Sequence, residues 1–168
     1  MPKRDDTGSR KDTSGPVPGA KPVLKLRHFL PYQLSDLAET VSRSLSGIYA
    51  EEFGIGIPEW RVLATLGEIS AMTARDVGQA TSMHKTKVSR AVAALKKRDL
   101  ILRETNPADQ RELVLRLTAA GQALYEEIVP RALAYSAALE NALTEDQRAL
   151  LPDLFDRLHR AAGGRRGA

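Results

Sequence analysis

From Arg75 to Arg116 the sequence sets ten lysines and arginines against five aspartates and glutamates. The densest run is Met83-His84-Lys85-Thr86-Lys87-Val88-Ser89-Arg90. Clustered positive charge inside a folded stretch suits a polyanion, because each phosphate contact releases condensed counterions. The side chains of the run divide by chemistry. Arg90 is the expected base reader, since its planar guanidinium can donate two parallel hydrogen bonds to guanine in a major groove. Lys85 and Lys87 are point charges suited to phosphate, and His84, Thr86 and Ser89 complete the expected DNA contacts. On charge alone, a solvated basic face is the competing reading.

No comparable constellation points to catalysis. His28, His84 and His159 are far apart with no metal-ligand spacing, no glycine-rich phosphate loop occurs, and no serine sits in a nucleophile-elbow setting. The chain contains no cysteine, which removes disulfides, thiolate zinc sites, thiol redox sensing and a cysteine nucleophile together. The expectation is a protein that is not an enzyme, with no metal and no cofactor.

A helix must hold the basic run. At 100° per residue, Val88, Ala91, Val92 and Leu95 share one face, while Thr86, Arg90 and Lys97 point the opposite way with Met83, Lys87, Ser89 and Ala93 beside them. Thr81 or Ser82 is the expected cap, and Arg98 the approximate end. Two elements should precede this helix. Pro58 opens one, with Trp60, Leu63, Ala64 and Leu66 as apolar positions, and Thr73 with Asp76 caps a short one that buries Val77 and Ala80. Leu100 to Thr105 and Arg111 to Leu117 alternate as strands joined by a turn from Asn106 to Gln110, so a β-hairpin follows the basic helix.

Long helices flank this unit. Leu34, Leu37, Val41, Leu45 and Ile48 form one stripe over about six turns from Pro31 to residue 52, roughly 33 Å of helix. Thr118 caps a fifth helix bearing Leu124, Ile128, Leu133 and Leu139, with a kink expected where Pro130 removes a donor. Thr144-Glu145-Asp146-Gln147 reads as a capping box opening a sixth helix with Leu150, Leu151, Leu154, Phe155 and Leu158. These stripes exceed what one small domain can cover, and twofold pairing is the usual way to bury the excess.

With 168 residues, 42% of them hydrophobic and 27% charged, one globular domain with tails is expected, large enough to fold without staples. Residues 1–27 carry seven basic and three acidic residues and read as a flexible basic N-terminal tail. Residues 28–162 form the domain, with its helix-helix-hairpin part at about 57–117 and pairing helices at about 31–52 and 118–162; residues 163–168 read as a disordered tail.

Helix, short helix, basic helix and hairpin is the order of a winged helix-turn-helix. The run from Met83 to Arg90, Lys97-Arg98-Asp99-Leu100-Ile101, Asp109-Gln110-Arg111 and Leu117-Thr118-Ala119-Ala120-Gly121 together resemble the multiple antibiotic resistance regulator (MarR) family of transcription factors, over about residues 30 to 162. The resemblance implies a mainly α fold of six helices with a small β-hairpin wing. It implies an obligate homodimer built through the N- and C-terminal helices, which grips a pseudo-palindromic double-stranded DNA operator and represses transcription. By the same resemblance Arg111 enters a minor groove from the wing tip, and Asp109 orients a neighbouring arginine. His84 departs from the acidic residue common at that place in relatives. It substitutes a side chain that is partly cationic at mildly acidic pH, or simply a neutral exposed histidine.

Relatives of this kind commonly bind a small anionic, often aromatic effector, as a free acid or a CoA thioester. His28, Tyr32, Arg43, Trp60, Arg61 and Met72 could supply cations and aromatic surface for one, although Trp60 also fits a core position and Arg43 could pair with Glu39. The alternative is a ligand-independent DNA-binding or architectural protein. No stretch approaches the roughly 20 apolar residues needed to span a bilayer and no apolar leader opens the chain, so a cytoplasmic protein without a membrane partner is expected.

Overall fold

The computed structural model describes residues 21–105 and 112–163. The expected tail up to residue 20, Asp109 of the expected turn, Arg111 at the expected start of the second strand, and residues 164–168 lie outside the described residues. The chain divides after Leu37 into two units.

In the first unit, described from Lys21, a 3-10 turn at Leu26–His28 precedes α1, Leu30–Ser46, within which the boundary falls. The side chains from Lys21 to Leu37 are exposed, Leu30, Leu34 and Leu37 among them.

The second unit contains α2 (Ala50–Phe53), α3 (Ile57–Glu68), β1 (Met72–Thr73), α4 (Ala74–Thr81), α5 (Lys85–Lys97), β2 (Ile101–Thr105), β3 (Leu113–Leu117), α6 (Ala119–Asn141) and α7 (Glu145–Ala161). The described residues thus hold seven α-helices and a three-stranded sheet, a mainly helical winged fold with one helix more than the six expected.

The extra helix arises from a break in the stripe read as one element from Pro31 to residue 52. The N–H groups of Gly47, Ile48 and Tyr49 bond to the carbonyls of Ser44, Leu45 and Ser46 at 3.1 to 3.2 Å, the tightened pattern of a helix end. Gly47 weakens the helix there. The break turns Tyr49, 1% exposed, into the core, where it stacks on Trp60 at 5.3 Å between ring centroids. Glu52 of α2 pairs with Arg131 of α6, whose guanidinium lies 5.2 Å from the Phe53 ring centre. The Arg131 hydrogen bond holds the Glu52 carboxyl below its ordinary range.

Three threonine caps occur where expected. The Thr73, Thr118 and Thr144 hydroxyls accept from the N–H groups of Asp76, Gly121 and Gln147, opening α4, α6 and α7, and the Gln147 side chain completes the capping box. The cap expected at Thr81 or Ser82 is wrong. Thr81 is the last residue of α4, its hydroxyl donating to the Val77 carbonyl at 2.6 Å, and Ser82 ends that helix in the left-handed region at φ 53°. His84 is extended and caps the next helix, so α5 starts two or three residues later than expected and Met83, expected beside the exposed face, is buried in the turn. α6 runs as one helix through Pro130.

The sheet order is β1-β3-β2, both pairs antiparallel, with Met72 opposite Leu115 and Ile101 opposite Leu117. β1 is a third strand beyond the expected hairpin, too short to show an alternating pattern. Burial falls along β2 from Ile101 outward until Arg103, Glu104 and Thr105 are exposed, so the hairpin leaves the core as it lengthens. A salt bridge from Arg116 to Glu104 at 3.1 Å braces it across the strands. The core gathers Val62, Leu63 and Leu66 of α3, Val77, Val88, Val92, Leu95, Ile101, Leu115 and Ile128.

Candidate nucleic-acid interface

The basic run lies at the start of α5, and burial separates its residues by chemistry. Val88, Ala91, Val92 and Leu95 are buried, whereas His84, Lys85, Thr86, Lys87, Ser89 and Arg90 are all exposed. The apolar stripe therefore anchors α5 against α3 and α4 while its other face, set with small and cationic side chains, meets solvent. Ala93 and Lys97 extend that face. His84 is also the N-cap, its Nδ1 accepting the Thr86 N–H at 3.4 Å, a role the sequence did not reveal.

The far end of α5 is fixed by the motif residues after it. Arg98 donates to the carbonyls of Phe53 at 2.9 Å and Gly54 at 3.0 Å, tying the helix to the end of α2. Asp99 takes a left-handed conformation at φ 56°, and the Thr118 hydroxyl donates to its carbonyl at 2.6 Å while the Thr118 N–H reaches the Leu100 carbonyl at 3.1 Å. A Cβ on Gly121 would run into the Leu100 carbonyl. The Leu-Thr-x-x-Gly sequence thus seats the start of α6 directly on the chain leaving α5, which accounts for both its threonine and its glycine.

A cleft of about 570 Å³ opens between α4, α5 and β2. Arg75, Gln79, Lys85, Ser89 and Arg103 form its polar rim, and Gly78, Met83 and Val88 are among its apolar lining. Sequence reasoning missed Arg75, Gln79 and Arg103. Arg75 and Arg103 belong to the basic stretch that was recognised, but their convergence depends on the pairing of β2 with β3 and the packing of α4 on α5.

The residues considered for an effector have separate surroundings. In the first unit, His28 lies in the 3-10 turn and Tyr32 lines a shallow groove with Leu26, Arg27, Gln33 and Asp36. In the second, Trp60 is buried and stacks on both Tyr49 and Tyr125, the latter at 6.4 Å. Met72 is half-buried against the core. Arg43 pairs with Glu39 four residues earlier, both side chains exposed, and Arg61 donates to the Ser42 hydroxyl at 3.4 Å.

Among the described residues no group of three or more histidines, aspartates or glutamates could hold a metal ion, and no helix is long and apolar enough to cross a membrane.

Comparison with known proteins agrees with this geometry. Residues 53–112, from the end of α2 to the second strand of the hairpin, match the family model described as MarR family. The HTH-type transcriptional regulator FarR of Neisseria gonorrhoeae is 29% identical over 100 residues, which is 60% of this chain and 68% of FarR. A crystal structure of a MarR/EmrR family transcriptional regulator from Acinetobacter sp. ADP1 superposes with a TM-score of 0.76 at 26% identity, over 83% of this chain and 99% of that one. The crystal structure of NadR in complex with 4-hydroxyphenylacetate gives a TM-score of 0.68 at 25% identity, over 82% of this chain and 97% of NadR. These proteins are described as transcriptional regulators or as a complex with a small aromatic acid, none as an enzyme. Over residues 53–112, therefore, the chain matches the MarR family model, and it is similar in sequence and fold to winged helix transcriptional regulators of that family.

Proposed function

We propose that the protein is a homodimeric repressor that lays α5 in the major groove of a pseudo-palindromic operator and leaves it when a small aromatic or anionic effector binds. The observation that carries this reading is the division at α5, with Val88, Ala91, Val92 and Leu95 buried and the six polar or cationic residues His84, Lys85, Thr86, Lys87, Ser89 and Arg90 exposed, Thr86 and Arg90 pointing straight away from the buried stripe. Arg90 reads a base, Lys85 and Lys87 hold phosphate, and His84, Thr86 and Ser89 complete the contact. Arg111 reaches a minor groove from the wing and Asp109 orients a neighbouring arginine. Residues 57–117 are the winged part, and residues 31–52 and 118–162 supply the pairing helices.

Pairing is supported by the apolar side chains that the single chain leaves in water. Leu133 and Leu139 of α6 and Leu150, Leu154 and Phe155 of α7 are exposed, and in the first unit so are Leu30, Leu34 and Leu37 of α1. A second copy would remove them from water and set two recognition helices about one DNA turn, roughly 34 Å, apart.

An effector of aromatic acid type is supported by the NadR complex with 4-hydroxyphenylacetate and by the exposed cations Arg43 and Arg61. Release follows where the effector favours a dimer whose helix spacing no longer matches the operator. If no aromatic acid or CoA thioester in a titration panel changes the affinity of the DNA-bound protein, ligand-independent DNA binding takes the place of the sensor.

The DNA assignment is tested by two variants on a duplex that the protein itself selects from a random pool. Arg90→Ala is expected to cost about 1 to 3 kcal/mol and to relax sequence preference, whereas Lys87→Ala weakens binding to all sequences and lowers the salt slope by about one unit. Equal losses on selected and scrambled duplexes for both variants would contradict the division of roles.

A further inference from the structure

The cleft between α4, α5 and β2 is lined by three cations from three separate elements. Arg75 comes from the first turn of α4, Lys85 from the first position of α5, and Arg103 from the exposed half of β2. No carboxylate lines it. Asp76, next to Arg75, is turned into the cap of α4, where it accepts the Thr73 hydroxyl at 2.7 Å. Among the described residues, none of the three cations enters an ion pair with a carboxylate. Three like charges held around one cavity repel one another, and an oxyanion between them would reverse the sign of that interaction.

We propose that this cleft is a seat for one backbone phosphate of the bound DNA, held jointly by Arg75 and Arg103, with Lys85 at its lip. The seat rests on the reading of α5 as the groove-entering helix. Lys85 and Ser89 line the cleft and are exposed, as Lys87 and Arg90 are, and Ser89 flanks the face of α5 on which Arg90 points away from the core. An occupant therefore meets α5 on the side that faces the duplex. In a helix-turn-helix the helix before the recognition helix crosses the DNA backbone, which is where Arg75 and Gln79 stand. A cleft of about 570 Å³ is roomier than a phosphate alone needs, and its apolar lining at Met83 and Val88 suits the adjoining deoxyribose. The seat fixes the register of α5 on the groove without reading sequence. It also clamps the base of the wing to the turn before α5.

Salt titrations on the full chain test this with Arg75→Gln, Arg103→Gln and the double variant, measuring anisotropy on the selected and a scrambled duplex. Because both arginines are placed on the same phosphate, each single variant should lose severalfold in affinity on both duplexes with the selectivity ratio unchanged. The double variant should lower the slope of log affinity against log salt by about one unit and not two. All three should keep the parent melting temperature, since the side chains stand at the surface. An unchanged slope in the double variant, a loss confined to the selected duplex, or a two-unit loss overturns the shared seat. If Lys87→Ala and Arg90→Ala weaken binding on the same duplexes while the cleft variants do not, the seat alone falls. If all of them leave binding untouched, the placement of α5 falls with it. Calorimetric binding of 4-hydroxyphenylacetate that disappears in the double variant, with DNA affinity intact, would instead assign the cleft to a free carboxylate and overturn the proposal.

Discussion

The winged part and the C-terminal helix carry equally good apolar stripes and use them differently. In the winged part the stripe residues close on one another, so that Val62, Leu63, Val77, Val92 and Leu95 are each 0% exposed. In α7 no residue is buried, and Leu150, Leu154 and Phe155 remain 56, 49 and 49% exposed. At about 25 cal/mol per Å² of apolar surface, the first arrangement stabilises the chain itself. The second contributes only when something else covers it. A stripe in a sequence therefore says that burial is wanted, and only the tertiary structure says whether the chain supplies it alone.

The largest expected effect separates these two uses directly. Leu63→Ala should cost about 2 to 5 kcal/mol of folding stability while leaving the stoichiometry in sedimentation unchanged wherever the protein remains folded. Leu154→Glu should convert a paired protein into single chains at micromolar concentration, with a hundredfold or greater weakening of operator binding as the second recognition helix is lost. The melting temperature of the parent should rise with concentration and that of Leu154→Glu should not. A Leu154→Glu protein that sediments as the parent does would break the comparison, because α7 would then have no partner to lose.

A smaller effect sharpens the comparison at the junction where the core meets α6. Tyr49, sealed against Trp60 at 1% exposure, has its phenol pKa pushed up to about 12 by burial, partly opposed by the Arg61 guanidinium. The folded chain thus holds this proton more tightly than an unfolded chain with a phenol near pH 10. The corresponding stability is complete below pH 10 and is lost as pH rises through about 12, a change on the order of 2 kcal/mol. Denaturant midpoints followed through this window should fall more steeply for the parent than for Tyr49→Phe. Parallel curves would mean that the aromatic stack opens to water without unfolding.

What could be read in advance follows the range of the interactions. Thr73, Thr118 and Thr144 were legible because a cap needs only a hydroxyl and the N–H three residues on. The exposed face of α5 was legible because four apolar residues at helical spacing fix its orientation. The break after Ser46 was not, since it depends on Tyr49 finding Trp60, and an uninterrupted apolar pattern hides it. Ser82 gave no sign of a left-handed turn, and shifting the start of α5 to Lys85 moved Met83 from the groove side into the core. Trp60 already fitted a core position by its spacing, but its stacking on Tyr125, like the pairing of Met72 with β3, is decided by residues far away in sequence. The cleft was invisible for a related reason, because Arg75, Lys85 and Arg103 meet only once sheet and helices have formed.

The smallest expected effect concerns a residue with two tasks, which the winged part permits and α7 does not. His84 faces the solvent beside Lys85 and also accepts the Thr86 N–H that begins α5. Serine is a good N-cap and alanine a poor one, so His84→Ser retains the acceptor and removes only the imidazole, while His84→Ala removes both. At 3.4 Å the existing bond is long, and losing it should cost about 0.5 kcal/mol, the low end for a cap. If the imidazole touches DNA, both variants should lose affinity to the same degree, whatever happens to their melting temperatures. If it acts by starting the helix, only His84→Ala should weaken binding, and its affinity and stability should fall together. Equal affinity in all three proteins would remove His84 from the interface and leave the contact to begin at Lys85.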